Sequence, residues 1–405
     1  MLVGVIFVFH VKGCFIMAFS LAIILLFALP TNKIFETLKM PGLLGTLLLG
    51  IAIGPYGLDW LQPELLNASS DLRRIALIII LLRAGLGINK DDLKQNGVIA
   101  LKMSCLPGLF EGATIAFISV KLLGFSLIQG GILGFILSAV SPAVVVPSML
   151  DLIKREVGTE KRVPSLIIAG ASIDDVFAIT MLSVFLGLYS GASINIGIKM
   201  LSIPISIILG FMVGIVGFII VHIFKKYQMR DTQKVLLVLA LAVLISELEF
   251  QFKTKIEIAS LLGVMTIGFI ISEKMPHIGE RLAQKLNKIW IFAEILLFVL
   301  VGAQVDVTLA FKAGGVGIAI IGTGLIGRSI GVLFSLVGTN FNWKERLFCI
   351  ISYSPKATVQ AAMGAIPLSL GVKSGDVILA IAVLSILVTA PLGAIGIRYS
   401  AKKLL

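Results

Sequence analysis

Apolar residues in this chain come in blocks. Runs of Leu, Ile, Val, Gly and Ala, separated by short polar connections, recur from one end to the other. A helix of roughly 20 such residues is what the ~30 Å hydrocarbon layer of a membrane requires. Backbone polar groups must satisfy one another in lipid, so these blocks predict helices. The period-two alternation of barrel strands is missing. The blocks predict about thirteen spans, near 14–30, 41–54, 74–88, 98–119, 127–148, 163–188, 199–223, 233–247, 256–272, 289–303, 313–337, 346–368 and 377–397. The longest connections, 54–73 and 273–288, are too short to bury a core of their own. The fold class is therefore an all-α polytopic membrane protein of one domain, 1–405.

Composition agrees. Of 405 residues 58% are hydrophobic and 14% charged, against about a quarter charged in soluble domains; mean hydropathy is +1.06. A net charge of +12 would suggest nucleic acid in a soluble protein, but here most Lys and Arg sit in short loops. Of 34, 21 fall in one set of alternate loops and 9 in the other. That bias predicts an N-terminus outside and a C-terminus in the cytoplasm, with no nucleic-acid partner. The multi-pass chain is assigned to the inner (cytoplasmic) membrane, in contact with its lipids. Cys14, Cys105 and Cys349 have no metal spacing and read as small hydrophobes. The opening residues show no cleavage site and read as a retained first span.

The chain repeats itself. Ser141-Pro142 in the fifth block returns as Ser354-Pro355 in the twelfth, an offset of 213; Gly85 and Gly302, like Glu111 and Arg328, are 217 apart. Seven spans separate equivalents, an odd number, so the halves are inverted across the membrane with a site expected between them. Pro142 and Pro147 are predicted to unwind the fifth span in mid-membrane, and Pro355 the twelfth. Broken helices in matching positions mark a cavity near the midplane, lined by Ser141, Pro142, Val144, Pro355 and Thr358.

Charges within the blocks supply the chemistry. Asp174-Asp175 lies midway along the sixth span, where a charge costs ~2.5–3.5 kcal/mol, so a functional role is expected. Adjacent carboxylates on a helix point about 100° apart and titrate as a coupled pair. Hard cations prefer oxygen ligands, so the pair suits a monovalent cation in exchange for a proton. Glu111 and Arg328, single and opposite in sign, are predicted to pair. Lys356, next to Pro355, either neutralises half-helix carbonyl ends or partners the aspartates. Arg83 and Lys102 sit near span ends and read as snorkelling side chains. His10, His222 and His277 lie near interfaces, away from the aspartates.

The segments "ILLRAGLGINKDDLK", "SAVSPAVVVPSML", "GASIDDVFAIT" and "SPKATVQAAMGAIPL" resemble the NHA group of the cation:proton antiporter superfamily, from about residue 41 to the C-terminus. The resemblance implies thirteen spans, a homodimer, and sodium or lithium exchange against protons by an elevator-like motion. It implies core helices at 74–188 and 289–368, and dimerisation or panel helices at 14–54, 199–272 and 377–397. By position it makes Asp174 and Asp175 the cation/proton site, Glu111–Arg328 the group's charged pair, and Lys356 part of its Pro-Lys-Ala-Thr segment. No cofactor is implied. Where double-aspartate bacterial antiporters carry a lysine in the tenth span, this chain has Glu294, a departure that bears on stoichiometry.

Other classes fit less well. Potassium/proton exchange or nucleotide-gated potassium efflux shares the architecture, but no nucleotide-binding domain follows the spans. A channel needs a repeated selectivity loop, and none is visible. An enzyme using the aspartates as acid and base needs further polar groups, whereas Val176, Phe177 and Ala178 are apolar.

Overall fold

Helix is the only regular structure among the described residues of this computed structural model, namely 17–38, 42–87, 90–190, 196–227, 229–252 and 260–405. His10, Lys12, Cys14, Lys39, Lys253 and Lys255 lie outside them. The helices are α1 (Met17–Thr37), α2 (Gly42–Ile53), α3 (Pro63–Asn67), α4 (Ser69–Gly87), α5 (Lys90–Leu123), α6 (Leu127–Leu137), α7 (Pro142–Lys154), α8 (Val163–Tyr189) and α9 (Ile196–Gly214). They continue with α10 (Val216–Lys226), α11 (Asp231–Phe252), α12 (Ser260–Lys274), α13 (Pro276–Ala303), α14 (Val307–Ser335), α15 (Trp343–Ser352), α16 (Thr358–Met363), α17 (Ile366–Ser369) and α18 (Gly375–Leu404). Each of the thirteen apolar blocks contains helix. Among the described residues eight stretches have the length and apolarity to cross a membrane, and Gly42–Ile53 is a shorter apolar helix.

The chain divides into two compact units. The first is Met1–Arg74 with Glu294–Val305. Its core joins Ile24 and Ala28 of α1 to Ile53, Leu65, Val299 and Leu300. Here α2 and the end of α13 touch backbone to backbone: a side chain at Gly50 would strike the Val299 carbonyl, and one at Gly302 the Leu47 carbonyl. Small residues serve this purpose where lipid gives no hydrophobic drive for helices to associate.

The second unit, Ile75–Ala293 with Asp306–Leu405, carries the candidate chemistry. At its centre α5 packs against α14, α6 and α8. Gly327 and Gly331 of α14 lie against the α5 backbone at Phe110 and Leu106, while Gly134 of α6 lies against Gly112 of α5. Helix axes brought this close let short bonds form between side chains on α5 and α14. Phe135 of α6 meets Phe177 of α8 edge-on at 6.3 Å and stacks on Phe185 at 5.4 Å.

Both expected breaks are present. Helix α6 ends at Leu137 and α7 begins at Pro142; α15 ends at Ser352 and α16 begins at Thr358. The chains cross at the breaks, where the Ser141 N–H donates to the Pro355 carbonyl at 2.8 Å. The expectation for Pro147 is corrected: it sits inside α7 without unwinding it. Only Pro142 starts a half-helix, at the first position, where its missing N–H breaks no bond.

The inverted repeat extends to the caps. A capping box of Ser126 and Gln129 opens α6, and one of Asn342 and Glu345 opens α15, each pair of equivalents 216 residues apart. Each third-position side chain also clasps the loop that follows the other broken helix. Gln129 Nε2 donates to the Lys373 carbonyl at 2.7 Å, and Lys161 Nζ donates to Glu345 Oε2 at 3.0 Å. The entrance of each broken helix is thus tied to the exit of its counterpart.

Candidate functional site

Five ionisable side chains meet around the crossing: Glu111 from α5, Asp174 and Asp175 from α8, Arg328 from α14, and Lys356 from the second break. Glu111 and Lys356 are fully sealed, Asp174 and Arg328 nearly so, and Asp175 retains 9% of its exposure. The half-helices leave backbone groups open at each break, and the charges answer them.

Arg328 is the hub. Its Nη1 donates to Glu111 Oε2 at 2.7 Å and also to the Ser138 carbonyl. Its Nε donates to the Tyr353 carbonyl. Nη2 reaches Asp174 Oδ2 at 3.3 Å, a looser contact. The Tyr353 ring packs 5.4 Å from the guanidinium carbon. The fixed fork of the guanidinium thus binds a carboxylate on α5, a carboxylate on α8 and both breaks at once. The pairing expected for Glu111 and Arg328 is present.

Lys356 resolves an alternative. Its Nζ sits 2.9 Å from Glu111 Oε2 and 2.8 Å from Oε1; the second contact lies off the hydrogen-bond direction, so charge alone holds it. Its own N–H donates to Thr389 Oγ1 at 2.9 Å. Neither aspartate bonds to Lys356, and the half-helix carbonyls do not use it. Those carbonyls are capped instead by Arg328, at Ser138, and by Gln360. Gln360 Nε2 donates to the Ala139 carbonyl at 2.9 Å and to that of Ile136 at 3.1 Å. An amide carries two donors and competes for orphan carbonyls without a buried charge, which is why the lysine is free to serve Glu111.

The two aspartates are unequal. Asp174 Oδ2 accepts the Val140 N–H at 2.6 Å as well as Arg328, so it is anchored to the first break. Asp175 Oδ1 is buried and has no protein hydrogen-bond partner. Ser141 Oγ, Thr358 Oγ1 and Gln360 Oε1 are in the same condition. Ser141 bonds Pro355 through its N–H, and Thr358 opens the half-helix that carries Gln360, so three of these oxygens belong to the crossing itself. Val144, fully buried on α7, backs it. The charges do not balance: three carboxyl groups face two basic side chains, Arg328 and Lys356. One proton or one monovalent cation closes the difference.

Gln360, Thr389 and Tyr353 belong to this network and were not singled out from the sequence. Gln360 had a signal, a polar residue in an apolar half-helix two positions after Thr358. The Tyr353 carbonyl and Val140 N–H act through the backbone and leave no mark in residue type. Lys102 is exposed, as a snorkelling residue should be. Cys105 and Cys349 are free thiols.

The fold recurs in a protein of known structure. The solved structure of the sodium proton antiporter MjNhaP1 from Methanocaldococcus jannaschii superposes with a TM-score of 0.76, covering 95% of this chain and 97% of that one at 20% identity. Sodium/hydrogen exchanger 9B2 of Homo sapiens is 34% identical over 385 residues, 90% of this chain and 70% of the relative. The 9B2 exchanger of Xenopus tropicalis is also 34% identical, over 96% of this chain and 75% of its own length. Residues 21–403 match the family described as "Sodium/hydrogen exchanger, transmembrane", and this chain, a multi-pass membrane protein, belongs to that family.

Proposed function

We propose that this protein exchanges sodium or lithium for protons across a membrane, with Asp175 taking up either ion and Asp174 beside it. The observation that carries the reading is the unequal pair. Asp174 is committed to Arg328 and Val140, whereas Asp175 keeps a buried oxygen with no protein partner. A carboxylate in that position needs a counter-ion, and a proton and a small cation are alternative occupants of one place. Exchange follows when the loaded site faces each side of the membrane in turn, with Ser141, Pro142, Val144, Pro355 and Thr358 lining it. Glu111, Arg328 and Lys356 compensate charge without being carried.

The rest of the reading rests on the 21-to-9 loop charges and on the family. It comprises thirteen crossings, the N-terminus outside and the C-terminus in the cytoplasm of a bacterial-type inner membrane, and a homodimer. Core helices at 74–188 and 289–368 move against panel helices at 14–54, 199–272 and 377–397. The gradient of either ion supplies the free energy, so no cofactor enters the cycle. Potassium exchange is the less favoured reading for a member of the sodium/hydrogen exchanger family.

The test is proton flux in proteoliposomes. A sodium or lithium pulse is expected to drive protons across the membrane in the opposite direction, with no flux in empty liposomes. Flux with potassium alone would contradict the proposed substrate.

A further inference from the structure

A carboxamide has two chemically different ends, and at Gln360 the surroundings decide which faces which way. Its Nε2 lies 2.9 Å from the Ala139 carbonyl, 3.1 Å from that of Ile136 and 3.4 Å from that of Leu137. Three carbonyls accept and do not donate, so only the NH₂ end fits there. The oxygen is therefore turned away from the end of α6. Gln360 is 1% exposed, and its Oε1 is buried without a hydrogen-bond partner in the protein. A buried carbonyl oxygen left bare is costly.

Its place relative to Asp174 follows from one peptide group. Gln360 holds the Ala139 carbonyl, and Asp174 holds the N–H of the same peptide, at Val140. In a trans peptide these groups point to opposite edges, so Gln360 and Asp174 grip the first break from its two sides. Val359, the neighbour of Gln360, packs with Ala139 and with Ala178, which follows Asp175 by one turn of α8.

We propose that Gln360 is a specificity-determining residue of the exchange, its clamped carboxamide presenting an uncharged oxygen to the dehydrated cation at the crossing. The proposal rests on the reading of the crossing as the exchange site. A single carboxylate cannot replace the hydration shell of a small hard cation, which takes several oxygens. Selectivity between such ions depends on cavity size, ligand number and ligand flexibility. An amide whose nitrogen is tied to helix carbonyls cannot swing its oxygen to follow a larger ion. Thr358 and Ser141, with bare hydroxyls at the same crossing, adjust more freely because a hydroxyl rotates.

The test compares Gln360→Met and Gln360→Asn with the unaltered protein in proteoliposomes, reading apparent KM for sodium and for lithium at one pH, with thermal stability alongside. Met keeps the length but has no oxygen. Asn keeps the amide on a shorter stem, so it cannot both cap α6 and reach the ion. Both variants are expected to shift the sodium-to-lithium KM ratio several-fold. An unchanged ratio with lowered rate or stability would overturn the proposal, leaving Gln360 as a helix cap only. If Gln360→Met does not fold, the ratio in Gln360→Asn decides. Unaltered protein showing no sodium-driven proton flux would instead remove the exchange reading itself.

Discussion

Asp175→Asn protein is expected to fold, insert into membranes and exchange no sodium for protons. The substitution keeps volume and removes one group, a carboxylate oxygen with no protein partner. No intramolecular bond among those described is lost with it, so thermal stability should hold or rise, because a buried charge without a partner disfavours the fold. Exchange should vanish, since an amide neither titrates nor supplies anionic charge to a cation. Asp174→Asn is expected to differ. It weakens the bond to Val140 and the contact with Arg328, so loss of stability should accompany loss of rate. Thermal unfolding and sodium-driven proton flux measured on both variants separate the two roles. Equal destabilisation by both would mean that Asp175 has a structural partner.

The second large effect concerns the buried ion network. Breaking a buried pair by removing one member costs about 3–5 kcal/mol, because an uncompensated charge remains. Arg328→Gln is the extreme case: it strips Glu111, Asp174 and the Ser138 and Tyr353 carbonyls of a donor together. Glu111→Gln leaves Arg328 with Asp174 but takes the carboxylate from Lys356. The arginine variant should therefore be the less stable of the two. The double variant should lose less than the sum of the singles, since residues in contact couple by about 0.5–3 kcal/mol. Unfolding of all four proteins in detergent gives the cycle. Strict additivity would mean that the 2.7 Å contact contributes no energy.

Much of this was legible in the sequence, and the reason differs from element to element. The apolar blocks give helices because lipid permits little else. Glu111 and Arg328 were pairable because an inverted repeat brings residues at equal offsets toward one axis. The aspartates stood out because charge in mid-membrane is expensive. What stayed hidden is direction. Pro147 reads like Pro142 as a helix breaker, yet only Pro142 sits where a helix begins. Lys356 had two candidate partners in the sequence and takes neither: it bonds Glu111, while its backbone N–H is held by Thr389 of α18. The roles of the Val140 N–H and the Ser138 and Tyr353 carbonyls belong to backbone geometry, which residue types do not record.

The central claim is that a proton and a cation compete for Asp175, and apparent sodium affinity against pH tests it most directly. Cation binding requires the deprotonated carboxylate, so each bound cation releases a proton and each added proton expels a cation. Lowering pH must then weaken apparent affinity. In the competitive range the apparent KM for sodium should rise about tenfold per pH unit for each proton displaced, with maximal rate at saturating sodium nearly unchanged. Initial rates in proteoliposomes across sodium concentrations at several pH values give both quantities. Such a rise at constant maximal rate is the predicted result. An apparent KM independent of pH over the active range would contradict a shared site.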